Sequence, residues 1–569
     1  MAAMELIPSL GEVGITSCVN GPTIWTGDSL ARVGRTHVEN VFEMNTLTYG
    51  IAQSLPLADY LGGMILDGEP PFDATTDFDP LRYGSWCGVR FTEDKIKETY
   101  SHNNSVSYPF ENRKAGREHV VATTTKKDED GTVAHPMLPE LQKAGAHNTF
   151  SNSGLEVPAF YFHDENDALR HELNESKMDH HDWIDRVRDE ANAVLSGAAI
   201  SYASFSKFRV SGTDSHALLS GATTAAIPKK VGRTKLTYVV VKSLSLYPSH
   251  THTRIYRYAC TPSGKVFAEF SVCKVAEDDY YLVGSRDYAS HDAAWMASDR
   301  LRTDVFGTDR AADVSVENLS DDVHILHIAG PRSHEMLSSV CPEISDVPFL
   351  QMRPVNIAGH EVRCFRVSFT GCLGYELHCS AESVASVYRH LRSDPVTSEM
   401  SHFGSYAQNA LRIEKGFKLR GDLDFAHYSE AGIDPFVKKK LDFVGKDPSY
   451  VPTRMSSVFK IQTGTGYEWS VPSDSPIRMG NAETGEGSSP IVGFTTGAAL
   501  GGVTNSTISL GYVYTKDNGE NTMAQPGDSL FVEAYGKCWP VELLEKPPVA
   551  VSGRSLDVPA DIPSQAASS

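Results

Sequence analysis

The sequence predicts an α+β chain of several domains, and three stretches carry that prediction. Residues 180–196 set Trp183, Val187, Ala191 and Val194 at helical spacing, with Gly197 where a helix C-cap belongs. The segment GKVFAEFSVCKV from residue 264 alternates instead. Val266, Ala268, Phe270 and Val272 share one face and Glu269, Ser271 and Cys273 the other, the pattern of a half-buried strand. Residues 453–548 break into short strand-like runs, SSVFKI, SPIVGFTT, TISLGYVY and SLFVEAY, with PGD and YGK as turn signals, which predicts a small β-barrel.

The 569 residues suit roughly three to four domains of about 150 residues each. Hydrophobic residues make up 40% and charged residues 22%, an ordinary globular balance with ample core material. A net charge of -20 argues against nucleic acid or an anionic membrane as the main partner, because both require basic footprints. The nine cysteines are scattered, odd in number and without a CxxC pair, so a reducing compartment fits better than a disulfide framework. No apolar run approaches the roughly 20 residues of a membrane helix. The first 31 residues carry Glu5, Glu12 and Asp28 and neither Lys nor Arg, unlike an Arg-rich transit peptide. Either a presequence is missing from this chain or import works without one.

Residues 1–80 are punctuated by Gly and Pro, as in NGPTIWTGDS and LGGMILDGEPPFD, and are too short for a nucleotide-binding domain. No strand followed by a GxGxxG helix turn occurs there or elsewhere. Residues 81–162 read as a connecting, partly β region containing the charged loop TKKDEDG at 125–131. The main body spans 163–450 and the barrel 451–548. The tail 549–569, rich in Pro, Ser and Ala, reads as disordered. The pair His180–His181 reads as two exposed polar residues in a first helical turn rather than as a metal site.

Several blocks then resemble a known family in order and spacing. The run ALRIEKGFKLRGDLD at 410–424 resembles the aminomethyltransferase signature of the glycine-cleavage T-protein family. IPKKVGR at 227–233 and VAEDDYYLVGS at 275–285 are similar to its folate-binding lobe. HIAGPRSHEML at 327–337 resembles "MGPxSRELL", and VSFTGCLGYELH at 367–378 resembles "SYVGELGWEL". IVGFTTGA and SLGYVY resemble the family's last domain. Upstream, NGPTIWTGD, LGGMILDGEPPFDATTDFDPLRYG and GLEVPAFYF are similar to segments of the dimethylglycine and sarcosine dehydrogenase branch, where a flavin domain precedes the transferase half. The resemblance therefore implies a multidomain aminomethyltransferase fold with a terminal β-barrel and an N-terminal remnant of a flavin-oxidoreductase domain over 1–80.

The resemblance also assigns site residues. Glu269 in SGKVFAEFSV takes the place of the family aspartate near the folate reaction centre. The extra methylene moves its carboxylate by about 1.5 Å, and a misplacement of about 1 Å can cost on the order of 100-fold in rate. Cys372 in SFTGCLGYEL replaces the glutamate expected to hold the aminopyrimidine edge of the pterin. A thiol is a weak partner there, and unpaired buried donors cost about 1–3 kcal/mol each. Tyr375 and Arg412 match the family and are carried over as cofactor-binding positions. Arg412 and Glu414, two residues apart, either orient the loop over the pocket or brace the domain, with bracing favoured. Between VGRTKLTYVV and the SGKV turn, the stretch KSLSLYPSHTHTRIYRYA adds about fifteen residues near the expected pocket wall, and its His250 and His252 read as a solvated loop.

These departures favour a degenerate relative, a non-catalytic structural or regulatory subunit of a mitochondrial complex with protein partners. The alternative is a tetrahydrofolate-dependent one-carbon transferase or demethylase, acting alone or with a separate flavoprotein. Tetrahydrofolate is the possible cofactor, FAD is not expected from this chain, and no metal is implied. The mitochondrial matrix is inherited from the resemblance, with the cytoplasm as the alternative.

Overall fold

A computed structural model describes residues 7–102, 136–150, 156–164, 166, 168, 183–235, 257–260 and 263–550. Short interruptions fall at 15, 18–20, 22, 68–69, 72–77, 85–86, 309, 424–425, 434–436, 438–441, 466, 470, 484–488 and 516–522. The pair His180–His181, the insertion with His250 and His252, the 125–131 loop and the tail from 551 lie outside the described residues.

The N-terminal unit is a hairpin of β1 (Arg32–Arg35) and β2 (Phe42–Asn45) packed on the helix Gly50–Leu66. Ala31, Val33, Leu57 and Tyr60 form its small core. A second helix, Val89–His102, occupies part of the region read as a partly β connection. Its charged sequence hides the signal: Phe91, Lys95 and Thr99, four residues apart, are the ones that bury. The buried ion pair Arg82–Asp28, 2.7 Å, ties the unit together. β3 (Ala146–Phe150) and β4 (Glu156–Tyr161) then form a hairpin leading into the main body.

The helix expected near 180–196 runs Ile184–Ser196 and ends at Gly197, with Trp183, Val187, Ala191 and Val194 all buried. From there the strands are β5 (Ala199–Ala203), β6 (Phe205–Ser211), β7 (Thr234–Lys235), β8 (Arg257–Cys260), β9 (Val266–Ala276), β10 (Asp279–Ser285), β11 (Ser315–Asn318) and β12 (Val323–Ala329). β13 (Met352–Ile357), β14 (His360–Phe365), β15 (Gly374–Ser380) and β16 (Ser401–His402) complete the body. They assemble into two six-stranded sheets. One has the order β11-β6-β10-β9-β7 with β8 also on β9, and the other β13-β14-β15-β12-β5-β16. β5 and β6 are consecutive, so the chain leaves one sheet and enters the other at Ser204. That crossing point places the site.

The barrel closes as β17-β20-β19-β18-β21-β22. The four strands legible in sequence are β17 (Arg454–Ile461), β19 (Ile491–Leu500), β20 (Thr507–Tyr514) and β21 (Leu530–Ala534). β18 (Pro476–Met479) and β22 (Lys537–Leu544) complete it. The YGK turn is a two-residue hairpin loop with φ 50° at Tyr535 and 71° at Gly536, the positive-φ pair whose twist matches its strands. No helix among the described residues is long and apolar enough to cross a membrane.

Candidate functional site

A cavity of about 310 Å³ opens where β5 crosses to β6. Its walls come from both sheets and from the helix Ser405–Ile413, which lies over them. Register explains the floor. Ser201 on β5 stands opposite His327 on β12, which stands opposite Glu376 on β15, which stands opposite Phe365 on β14. Residues directly opposite one another share a face of the sheet. Ser201, Glu376 and Phe365 line the cavity. On the other sheet, the alternation of β9 turns Glu269 and Ser271 toward the same space. Phe205, Phe365 and Phe369 supply aromatic wall.

The covering helix is fixed at its start. Glu190 is buried and accepts the Gly404 N–H at Oε2 (2.8 Å) and the Tyr161 N–H at Oε1 (2.7 Å). Burial nevertheless dominates and pushes its carboxyl up to about 8. At the helix's other end, Arg412 donates from Nη1 to the Phe417 carbonyl at 2.7 Å and to Asp422 Oδ2 at 2.6 Å, and from Nε to Asn409 Oδ1 at 2.8 Å. Asp422 in turn accepts Thr496 Oγ1 of the barrel at 2.6 Å. Arg412 thus both lines the cavity and braces it.

Glu269 is partly exposed, but to the cavity rather than to bulk solvent. Removal from water raises its carboxyl to about 8; Asp422 pushes the same way, while Arg420 and Arg412 oppose it. It is therefore mainly protonated at neutral pH, a hydrogen-bond donor and acid rather than a base. Glu376 is held differently, with Oε2 3.0 Å from His378 Nε2, whose Nδ1 is 2.9 Å from the Tyr281 hydroxyl. Lys418 also lines the cavity, and its ammonium is anchored on the Ala431 carbonyl. The site offers two carboxyl groups in different surroundings, fixed cations and aromatic walls. Among the described residues no group of three His, Cys, Asp or Glu side chains could hold a metal ion.

The four residues singled out from sequence separate here. Glu269 and Arg412 line the cavity; Cys372 and Tyr375 do not. Cys372 packs in an apolar cluster with Ala159, Phe160, Trp183 and Phe403, and burial pushes its thiol up. Tyr375 is fully buried, its hydroxyl 2.7 Å from His334 Nδ1. Glu414 faces away as well: it is fully buried and accepts the Val503 N–H at 3.0 Å and the Thr504 N–H at 3.2 Å, bracing the body against the barrel. Sequence reasoning missed Glu376. Its signal was present in the GYELH run, where residues of one parity, Glu376 and His378, are polar on an otherwise apolar strand.

Comparisons with known proteins agree with this architecture. Residues 245–440 match the GCVT N-terminal domain model, and residues 67–120 match the FAD dependent oxidoreductase central domain model. Mitochondrial dimethylglycine dehydrogenase of Mus musculus is 29% identical over 96% of this chain and 57% of its own length. The Homo sapiens protein is 31% identical over 78% of this chain and 47% of its own. An aminomethyltransferase of Alkaliphilus oremlandii (strain OhILAs) is 28% identical over 34% of this chain and 51% of its own. The chain thus spans about half the length of these curated relatives. The crystal structure of glycine cleavage system aminomethyltransferase T from Bartonella henselae superposes with a TM-score of 0.54 at 19% identity, covering 73% of this chain and 97% of that one. That likeness shows the shared fold.

Proposed function

From the premise that the chain belongs to the glycine-cleavage T-protein family, in its dimethylglycine dehydrogenase-like branch, we propose that its central cavity binds a reduced folate and that the chain acts in folate-linked one-carbon transfer. One observation carries this reading. The cavity is a built site, with Glu269, Glu376 and Arg412 converging among aromatic walls. Cys372 is not among the residues that line it.

The donor set fits the group. A pterin presents N–H donors on its aminopyrimidine edge, which the Glu376 carboxylate can accept, and a flat face for Phe205, Phe365 or Phe369. A bound tetrahydrofolate supplies the nucleophilic nitrogens that accept a one-carbon unit. The residues of this chain orient and exclude water: Arg412 holds the covering helix against Asp422 and the barrel, and protonated Glu269 can donate a proton to a leaving amine.

A second reading, a non-catalytic structural or regulatory subunit, is favoured by the same carboxyl. At pH 7 Glu269 is in the wrong protonation state for a general base. A mitochondrial location belongs to either reading and rests on resemblance to the mitochondrial dimethylglycine dehydrogenases, whereas a separate flavoprotein partner belongs to the one-carbon transfer reading.

Calorimetric titration of the full chain with tetrahydrofolate tests the proposal. Micromolar binding, lost in Glu376→Ala, supports it. No heat up to millimolar ligand from a folded protein removes it and leaves the subunit reading.

A further inference from the structure

The sheet rung beneath the cavity contains one residue that the foregoing leaves without a task. His327 lies between Ser201 and Glu376, both of which line the cavity. It is fully buried, and neither ring nitrogen has a hydrogen-bond partner among the described residues. Among the described residues its ring neighbour is Phe403, edge-on with ring centroids 5.5 Å apart. A buried imidazole with two unmatched nitrogens is costly, because each polar group left unpaired has lost its water without replacement. An apolar side chain would fill the position without that cost.

The cost points to a use on the same rung. Directly opposed side chains have Cβ atoms about 4.5–5.5 Å apart; the imidazole leans toward Gly374 and the Glu376 carboxylate toward His378, so a turn of the Glu376 side chain carries its free oxygen toward the ring. Glu376 is then flanked by two histidines, His378 two residues along its own strand and His327 across the ladder. His378 holds Oε2 at 3.0 Å. Among the described residues, Glu376 is the charged group that favours protonation of His327, while burial, the larger effect, opposes it.

We propose that His327 is a positioning residue for the cavity, donating a hydrogen bond to Glu376 when that carboxylate turns toward a ligand and so fixing its acceptor edge for a donor-rich heterocycle. Held by His378 alone, the carboxylate can pivot. Held from both sides, it presents one plane, and an aminopyrimidine-like edge, with two adjacent N–H donors, is the chemistry that plane selects. The ligand class rests on the folate reading; the His327–Glu376 coupling does not.

Two experiments on the full-length chain separate them. In the first, nitrogen NMR of histidine-labelled protein follows the His327 ring in the wild type and in Glu376→Gln, without ligand. A downward shift of its titration midpoint in Glu376→Gln is expected, because the carboxylate favours the imidazolium. No shift would overturn the coupling. In the second, binding of tetrahydrofolate and of its 2-desamino analogue is compared in the wild type, His327→Phe and His327→Gln. Loss of a hydrogen bond to a charged group predicts about 10- to 100-fold weaker tetrahydrofolate binding in His327→Phe, little change for the analogue, and partial rescue in His327→Gln. Equal loss for both ligands, or a stabilised His327→Phe that binds both as the wild type does, would make His327 a packing residue. If the wild type binds neither ligand, the folate reading fails, and the NMR result alone decides the coupling.

Discussion

Replacing Glu269 by Gln removes one ionisation and nothing else of comparable size, so it isolates what the cavity does to that carboxyl. In the folded chain the group titrates near 8, against an ordinary 4.5. The sign follows from proton counting. Between these values the folded state holds a proton that the unfolded state has released, so stability is greatest below pH 4.5 and falls as pH rises through 8. The slope over that window is about 1.4 kcal/mol per pH unit for one group. Between pH 6 and 8 the slope falls to half as the midpoint is reached, so the full value is a little over 2 kcal/mol, and water inside the cavity holds it to about 2 kcal/mol at most. At roughly 2–4 °C per kcal/mol for a body of this size, the wild type should lose about 4–8 °C more than Glu269→Gln over that range. Differential scanning calorimetry of both proteins at pH 6, 7 and 8 provides the comparison. Parallel curves would mean that Glu269 titrates as a solvated carboxylate, and the argument that it is an acid rather than a base at neutral pH would go with them.

Three further substitutions divide the site from its scaffold. Cys372→Ala should change folate affinity less than two-fold and cost about 1 kcal/mol in urea unfolding, since it removes one sulfur from a buried cluster. Glu414→Ala strips the acceptor from the Val503 and Thr504 N–H groups, for about 2–4 kcal/mol by urea unfolding, with ligand affinity kept wherever the protein remains folded. Arg412→Met leaves Asp422 buried without its ion-pair partner, so about 3–5 kcal/mol of stability and folate binding in calorimetry should be lost together.

The fold was more legible than the site, and the difference is physical. Periodicity reports burial, so the helix Ile184–Ser196 and the strand Val266–Ala276 could be read with little error. The helix Val89–His102 could not, because its buried stripe includes Lys95 and Thr99, which sequence patterns score as polar. For β9 the alternation correctly put Glu269 on the polar face, but alternation cannot distinguish solvent from a cavity. That distinction needs the second sheet, and only the crossing at Ser204 brings the second sheet there. Cys372 and Glu376 show the same limit. Both sit in one short motif four residues apart, and a motif specifies neither which residue faces inward nor what lies opposite. Register does: Glu376 is opposite His327 and Phe365, whereas Cys372 precedes the strand and belongs to a separate buried cluster.

The charge on Glu269 is also governed from farther away. Arg420, which favours its ionisation, is fully buried and stacks 3.7 Å above Tyr288. Its Nη1 is 2.7 Å from Asp292 Oδ1, which is 3.0 Å from His291 Nδ1, and His291 Nε2 reaches Asp79 of the N-terminal unit at 3.3 Å. Buried chains of alternating charge seldom add net stability, because desolvation offsets attraction, and their effect is to fix registry between the parts they join. Here they join the N-terminal unit to the cavity wall. Asp292→Asn separates the two roles. It leaves Arg420 with an unneutralised charge beside Glu269, so the Glu269 midpoint should fall below about 8, and the steep loss of stability with pH should end earlier. The same change should cost about 3–5 kcal/mol at any pH, as breaking a buried pair does. A destabilised variant whose pH dependence matches the wild type would show that Asp292 holds the domains in register but that its charge does not reach Glu269.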